Sequence, residues 1–164
     1  MNKYKQFSPV VTVLTLAGTL PFFGILFIIL NPEGISALVR HDLAGQNLVI
    51  LFARLALLGY AAVILSFMTG TRWGQGFTGP GEKLNIVDMV LAVFPTVVSW
   101  MALLVGYIPG NWAAGSMFIV AGCYLLLLAW DALAQYPNWY FSLRVGATLC
   151  AVSCLCYAAM DALS

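Results

Sequence analysis

Residues 9–30 read PVVTVLTLAGTLPFFGILFIIL, a run of 22 residues without a charged side chain. A helix that crosses a bilayer needs about 20 mostly apolar residues, so this run is long enough to span one. Four further segments share this character, at about 47–70, 84–107, 112–134 and 140–163. Because the connections between them are short, neighbouring helices should pack antiparallel. The sequence predicts an all-α integral membrane protein, a five-transmembrane-helix bundle in which residues 1–164 form a single membrane domain.

The composition excludes several classes of protein. Hydrophobic residues make up 62% of the chain and charged residues only 8%, whereas a soluble domain carries about 25% charged residues. The net charge of +1 gives no reason to expect nucleic-acid binding. The predicted partners are therefore the lipid bilayer and, in addition, other membrane proteins or a small ligand; a homo-oligomer is compatible with the sequence. No cofactor motif is found.

The Lys and Arg residues predict the orientation, since cytoplasmic loops are enriched in them. In the predicted topology five of them share one side of the membrane and Arg40 lies on the other; the five are Lys3, Lys5, Arg72, Lys83 and Arg144. This places the N-terminus in the cytoplasm and the C-terminus outside. The first apolar segment is longer than the core of a signal peptide and is interpreted as a retained helix. The chain is thus expected in a bacterial inner (cytoplasmic) membrane rather than a mitochondrial inner membrane.

The connection at 31–46 is the largest one predicted on the outer side. Apolar residues recur there at helical spacing, which predicts a short helix lying on the bilayer surface. His41 lies in this connection between Arg40 and Asp42. It is interpreted as a wetted surface residue rather than a pH sensor.

A glycine motif, Gly74-x-Gly76-x-x-Gly79, resembles the loop that holds a dinucleotide. That site requires a strand before the glycines and a helix that opens after them. Here an apolar helix precedes the motif, and Pro80 and Gly81 follow it. The motif therefore predicts a tight turn and no nucleotide site.

Ionisable residues inside apolar segments are costly in lipid and suggest function by default. Near the cytoplasmic helix ends the sequence predicts a cluster of Arg72, Asp88, Asp131 and Arg144, with Tyr124 beside it. A second, outer cluster contains Arg54 and Asp161. Both clusters are neutral, so they can be ion pairs that hold the bundle together. Alternatively the arginines line a pocket for an anionic ligand, or Asp88 and Asp131 form a proton path.

Prolines, aromatic residues and cysteines complete the candidate residues. Pro21 and Pro95 lie in mid-helix and predict kinks that leave backbone carbonyls free. Trp73, Trp139 and Tyr140 mark segment ends and predict interfacial anchoring. The four cysteines, Cys123, Cys150, Cys154 and Cys156, are joined by no helical histidine, so no metal site is predicted.

Stripes of small residues predict close helix contacts in lipid. The third apolar segment carries one such stripe, formed by Asp88, Ala92, Pro95, Ser99, Ala102 and Gly106. The fourth carries two opposed stripes, one of Gly115, Gly122 and Ala129 and one of Met117, Tyr124 and Asp131. This segment is therefore expected to make close contacts on both sides.

Several motifs together resemble the transmembrane protein 69 family, a domain of unknown function found in bacteria and mitochondria. The stretch YAAVILSFMTGTRWG, which begins at Tyr60, resembles the signature of that family. Further matches are Gly18-x-x-Pro21-Phe22, Pro95-x-x-x-Ser99-Trp100, Asp131, and Pro137-x-Trp139-Tyr140-x-x-Leu143-Arg144. The resemblance implies a five-helix inner-membrane protein without an established activity. The polar residues that match the family pattern are Arg72, Asp131 and Arg144.

Three functions are compatible with these observations. The leading hypothesis is non-enzymatic support of membrane-protein assembly or organisation, which predicts an exposed small-residue face and a filled interior. The alternative is a binder or carrier of a small anionic or amphipathic molecule, which predicts a cavity near Pro95 that opens toward Arg72 and Arg144. The weakest hypothesis is an intramembrane enzyme, because Asp88 and Asp131 are the only candidates for acid–base chemistry.

Overall fold

The computed structural model describes residues 9–39, 43–75, 86–108, 110–133 and 136–164. All regular structure in these ranges is helical. The helices are α1 (Pro9–Leu30), α2 (Pro32–Val39), α3 (Leu43–Gln75), α4 (Ile86–Gly106), α5 (Trp112–Ala132) and α6 (Asn138–Leu163). Five of them are long and apolar enough to cross a membrane, with spans at Pro9–Leu30, Gln46–Thr71, Met89–Gly106, Trp112–Ala132 and Asn138–Leu163. The predicted fold class is confirmed.

Two helix boundaries refine the prediction. The helix α2 lies within the 31–46 connection, as its helical spacing predicts. The helix α3 is longer than the predicted 47–70 segment and continues through Gly70 to Gln75, because no proline follows to end it there. The backbone of Arg72 therefore belongs to the last turns of α3. His41 and residues Gly76 and Gly79 of the glycine motif lie outside the described residues.

The five spans form a closed ring in which each helix contacts its neighbours in sequence and α6 returns to α1. The helix α3 contacts all four other spans, so it is the helix about which the bundle is organised. Large apolar side chains fill the space around it, and the fully buried ones include Leu57, Leu58, Leu65, Met117, Val120, Leu127 and Leu155. In lipid this packing, rather than a hydrophobic driving force, holds the helices together.

The small-residue stripe of α4 faces the interior of the bundle. Ala92, Ser99 and Ala102 are buried, as is Pro95. At Gly106 a Cβ atom would lie only 2.8 Å from Leu58 Cδ1 of α3. Glycine at this position therefore permits the close approach of α3 and α4, which Thr69 and Thr96 also join through a 3.0 Å contact between their hydroxyl oxygens.

The prediction that α5 makes close contacts on both sides is wrong. Met117, Tyr124 and Asp131 are buried, whereas Gly115, Gly122 and Ala129 are exposed. A Cβ atom added at Gly115 or Gly122 would meet nothing within 4 Å. The opposite face of α5 already packs against α3, α4 and α6, so no helix of the described bundle remains to cover the glycines.

The helix α1 contacts both α3 and α6. Its fully buried residues are Phe22 and Ile29, both after Pro21. Before Pro21 it contacts α3 at Gly18, whose carbonyl accepts a hydrogen bond from Tyr60.

Candidate functional site

A buried ion pair joins α5 and α6. Arg144 Nε lies 3.1 Å from Asp131 Oδ2, and the two side chains are only 5% and 0% exposed. Taking both charges out of water is costly, and the pair is tolerated because each group compensates the other. Of the four charged residues in the predicted cytoplasmic cluster, these are the two whose side chains the structure describes. The side chains of Arg72 and Asp88 lie outside the described part of the chain.

The guanidinium of Arg144 is also anchored to α3. Its Nη2 donates to the carbonyl of Met68 at 2.9 Å, and its Nη1 donates to Thr71 Oγ1 at 3.3 Å. Nη1 lies 3.5 Å from the hydroxyl of Tyr136, and the guanidinium carbon is 5.7 Å from the ring centroids of Tyr136 and Tyr140. One arginine thus connects three helices, which suits its planar array of five donors.

A cavity of about 130 Å³ lies beside this arginine, between α1, α3 and α6. We call it the α1 cavity. Arg144 and Tyr140 line it from α6, Thr71 lines it from α3, and Thr15 and Gly18 line it from α1. Its remaining walls are mainly apolar; they are formed by Leu14, Thr19, Phe22, Ile64, Phe67, Met68, Tyr124, Leu143 and Ala147. Asp131 does not line it.

The location of this cavity differs from the prediction. A cavity was expected near Pro95, but Pro95 is fully buried and none of α4 lines the α1 cavity. Pro95 is enclosed because α4 lies against both α3 and α5. The space lies instead between α1, α3 and α6, with Leu14, Thr15 and Gly18 of α1 among its walls. The part of the expectation that joins a cavity to Arg144 agrees with the structure.

The remaining predicted residues occupy separate places. Tyr124 lies at the inner wall of the α1 cavity, but its hydroxyl donates to the carbonyl of Ala61 at 2.8 Å. Arg54 and Asp161 form the outer pair, with Nη2 and Oδ2 2.8 Å apart and side chains 22% and 34% exposed. Trp73 is exposed near the end of α3. Trp139 is half-buried and contacts the ring of Tyr140.

Cysteine side chains do not form a described metal site. The four thiols are free. Within the described ranges there is no group of three or more His, Cys, Asp or Glu residues that could hold a metal ion.

Sequence reasoning missed the residues that position Arg144 and shape the cavity. The Met68 carbonyl has no side-chain signal at all. Thr71 and Tyr136 are weakly signalled: Thr71 lies within the quoted stretch that begins at Tyr60, and Tyr136 directly precedes Pro137 of another quoted motif. Tyr60 is part of the quoted signature, and its hydroxyl donates to the carbonyl of Gly18 at 2.8 Å.

Comparisons with known proteins agree with these observations. The family model described as "Protein of unknown function (DUF3429)" matches residues 8–160. Transmembrane protein 69 of Xenopus tropicalis is 32% identical over 104 residues, which are 62% of this chain and 38% of that relative. The match thus spans well under half the length of the relative. No solved structure matches the chain significantly. The resemblance predicted from the sequence motifs is confirmed.

Proposed function

Because the chain belongs to the DUF3429 family of proteins of unknown function, we propose its function from the site itself: it is a non-enzymatic membrane protein that binds a small amphipathic molecule in the α1 cavity. One observation carries this proposal. The buried side chain of Arg144 lines a cavity whose other walls are mainly apolar. Ligand sites are usually concave and apolar with a few well-placed polar groups, and an intramembrane charge that reaches such a space suggests a binding role.

The positions of two other features support binding over the competing functions. Support of assembly alone predicts a filled interior, whereas the α1 cavity is open space. Acid–base chemistry would need a carboxylate that reaches the ligand, whereas Asp131 is paired with Arg144 and does not line the cavity. The first point favours a binder over an assembly protein, and the second favours a binder over an enzyme.

The same proposal includes a location and an orientation. The protein is a multi-pass membrane protein, and we assign it to a bacterial cytoplasmic membrane with its N-terminus inside. The distribution of Lys and Arg residues supports this orientation. The α1 cavity and Arg144 would then lie in the cytoplasmic half of the bilayer.

Two matched glycine variants test the proposal. Gly18 lines the cavity and Gly24 is exposed in the same helix; a Cβ atom added at either meets nothing within 4 Å. A leucine at residue 18 should fill the cavity, whereas a leucine at residue 24 should face lipid. Mass spectrometry of protein purified gently from its native membrane should find a stoichiometric small molecule in wild type and in Gly24→Leu but not in Gly18→Leu. Absence of any bound small molecule from wild type would refute the proposal.

A second candidate function is support of membrane-protein assembly, favoured by the exposed face of α5 that contains Gly115, Gly122 and Ala129. Small residues allow a partner helix to approach closely in lipid. Gly122→Leu should then release a co-purifying membrane protein, or a second copy of the chain, while Gly146→Leu should not. Gly146 is a suitable control because it is exposed on α6 and a Cβ atom there also meets nothing within 4 Å. Equal partner recovery from both variants would count against this function.

A further inference from the structure

The α1 cavity is long and narrow. Its lining extends from Leu14 to Phe22 along α1, a rise of about 12 Å at 1.5 Å per residue. The lining on α3 and on α6 spans nearly as many residues, from Ile64 to Thr71 and from Tyr140 to Ala147. A compact apolar cavity of roughly 150 Å³ holds one benzene ring. The α1 cavity has a similar volume of about 130 Å³, but its lining extends over about 12 Å. It therefore fits a single hydrocarbon chain better than a ring system.

The two ends of the cavity differ in polarity. Leu14 of α1, Thr71 of α3 and Tyr140 of α6 all lie toward the same membrane face, because α3 runs antiparallel to the other two helices. Arg144 joins Thr71 and Tyr140 at this end. Toward the bilayer centre the walls are Phe22, Ile64 and Ala147. The cavity is thus polar at the membrane interface and apolar toward the bilayer centre. A lipid in the same leaflet has its head group and chain in the same order.

The polar end offers hydrogen-bond donors rather than acceptors. The guanidinium of Arg144 carries five N–H donors and no acceptor. None of the described residues hydrogen-bonds the hydroxyl of Tyr140, which also lines the cavity. Thr71 Oγ1 already accepts from Arg144 and donates to the Met68 carbonyl. A ligand head group that presents acceptor oxygens therefore matches this end.

The cavity is accessible from the bilayer. Leu14 and Phe67 line it on opposite helices and remain 67% and 72% exposed. In a membrane these side chains face acyl chains, so a molecule dissolved in the leaflet can reach the cavity sideways between α1 and α3.

On the basis of the proposed function, we infer that the ligand is an acyl-chain amphiphile whose head group is an oxyanion, either a carboxylate or a phosphate. One chain lies along α1 with its end near Phe22 and Ile64. The head group lies at the polar end of the cavity, beside Tyr140 and Arg144. The same chemistry is found in a free fatty acid, an alkyl phosphate and a two-chain anionic lipid.

The test is a head-group series bound to the full chain in phosphatidylcholine nanodiscs. Decanoate and decyl phosphate should compete with a photoreactive fatty acid that carries a diazirine at its chain end, whereas decanol and decylamine should not. Peptide mapping should place the cross-link near Phe22 or Ile64. Phosphatidic acid, added to the same series, distinguishes the possible ligands. If it competes, the ligand is a two-chain lipid. If only the single-chain probes compete, the ligand is a free amphiphile. Either result supports the oxyanion class.

Two pairs of variants locate the probe. Gly18→Leu should abolish the cross-link and Gly24→Leu should retain it. Tyr140→Phe keeps the ring and removes the hydroxyl, and it should weaken decanoate binding about tenfold, the usual effect of losing a hydrogen bond to a charged group. Tyr157→Phe, in the same helix on an exposed residue, should have no effect.

Three results would overturn the inference: equal competition by all four head groups, preference for decylamine, or no cross-link in wild type. The outcome remains separable from that of the proposed function. A ring-shaped or neutral molecule that co-purifies with wild type and is lost in Gly18→Leu would refute the oxyanion amphiphile and leave the binding function intact.

Discussion

Tyr60 of α3 holds α1 next to its proline: the Tyr60 hydroxyl donates a 2.8 Å hydrogen bond to the carbonyl of Gly18, three residues before Pro21. Pro21 removes a backbone donor, so carbonyls in the preceding turn are weakly satisfied and can accept a side-chain donor. The ring of Tyr60 also packs edge-on against Phe22, with centroids 5.1 Å apart. Tyr60 therefore joins α3 to two residues of α1, Gly18 and Phe22, that line the α1 cavity.

Removing this hydroxyl should loosen the first half of α1 without unfolding the bundle. Tyr60→Phe retains the contact with Phe22 and loses only the hydrogen bond, so we expect the free energy of unfolding to fall by about 1 kcal/mol. Titration with SDS in mixed micelles measures this change. Hydrogen exchange should increase at residues 9–20 and remain unchanged in α5. Tyr157→Phe is the control, and equal exchange in both variants would contradict the role given to Tyr60.

The pair of Arg144 and Asp131 should behave as a unit. Arg144→Met leaves the fully buried Asp131 without its cation, and Asp131→Leu leaves the arginine without its anion, so each should destabilise the protein by about 3–5 kcal/mol. The double variant removes both charges and should lose much less than the sum of the two single variants. The same SDS titration measures all three.

The outer pair provides a comparison for these two single variants and their double variant. Arg54 and Asp161 are partly exposed, so solvent and lipid head groups can screen the charge that remains when one partner is removed. Arg54→Met should therefore cost about 1 kcal/mol or less. Burial would not control these energies if the losses in unfolding free energy at residues 131 and 144 were strictly additive. An equal loss of unfolding free energy at the outer pair would lead to the same conclusion.

The spans and the proximity of Arg144 to Asp131 could be predicted from the sequence, whereas the cavity could not. Apolar length alone identifies a membrane helix, and alternating direction brings residues 131 and 144 to the same membrane face. The cavity depends on how α1 lies against α3 and α6, which involves contacts distant in sequence such as that of Tyr60 with Gly18 across 42 residues. Small-residue stripes are equally uninformative by themselves: the stripe of α4 faces inward and that of Gly115 and Gly122 faces outward.

Replacement of a glycine by leucine should affect stability differently at a buried glycine of α4 and at an exposed glycine of α5. Gly106→Leu would force a side chain against Leu58, which is fully buried and has little space to move. Overpacking of this kind costs about 1–3 kcal/mol, and it should push the end of α4 away from the middle of α3. Gly115→Leu, on the exposed face of α5, should change stability by less than about 0.5 kcal/mol. A similar loss in both variants, measured by SDS titration, would argue against the close approach at Gly106.

The orientation of the bundle decides on which side of the membrane the polar end of the α1 cavity opens, and reporter fusions measure it directly. With the N-terminus in the cytoplasm, a reporter fused after Ser164 should lie outside, since five spans separate the two ends. Alkaline phosphatase is active only outside the cytoplasmic membrane and should therefore be active when fused there, whereas green fluorescent protein exported by the same route should remain dark. A fusion after Gln75, at the end of the second span, should give the reverse pattern. If the fusion after Ser164 is fluorescent and inactive as a phosphatase, then Arg144 and Tyr140 lie in the outer half of the bilayer, and the oxyanion ligand would have to come from the outer leaflet.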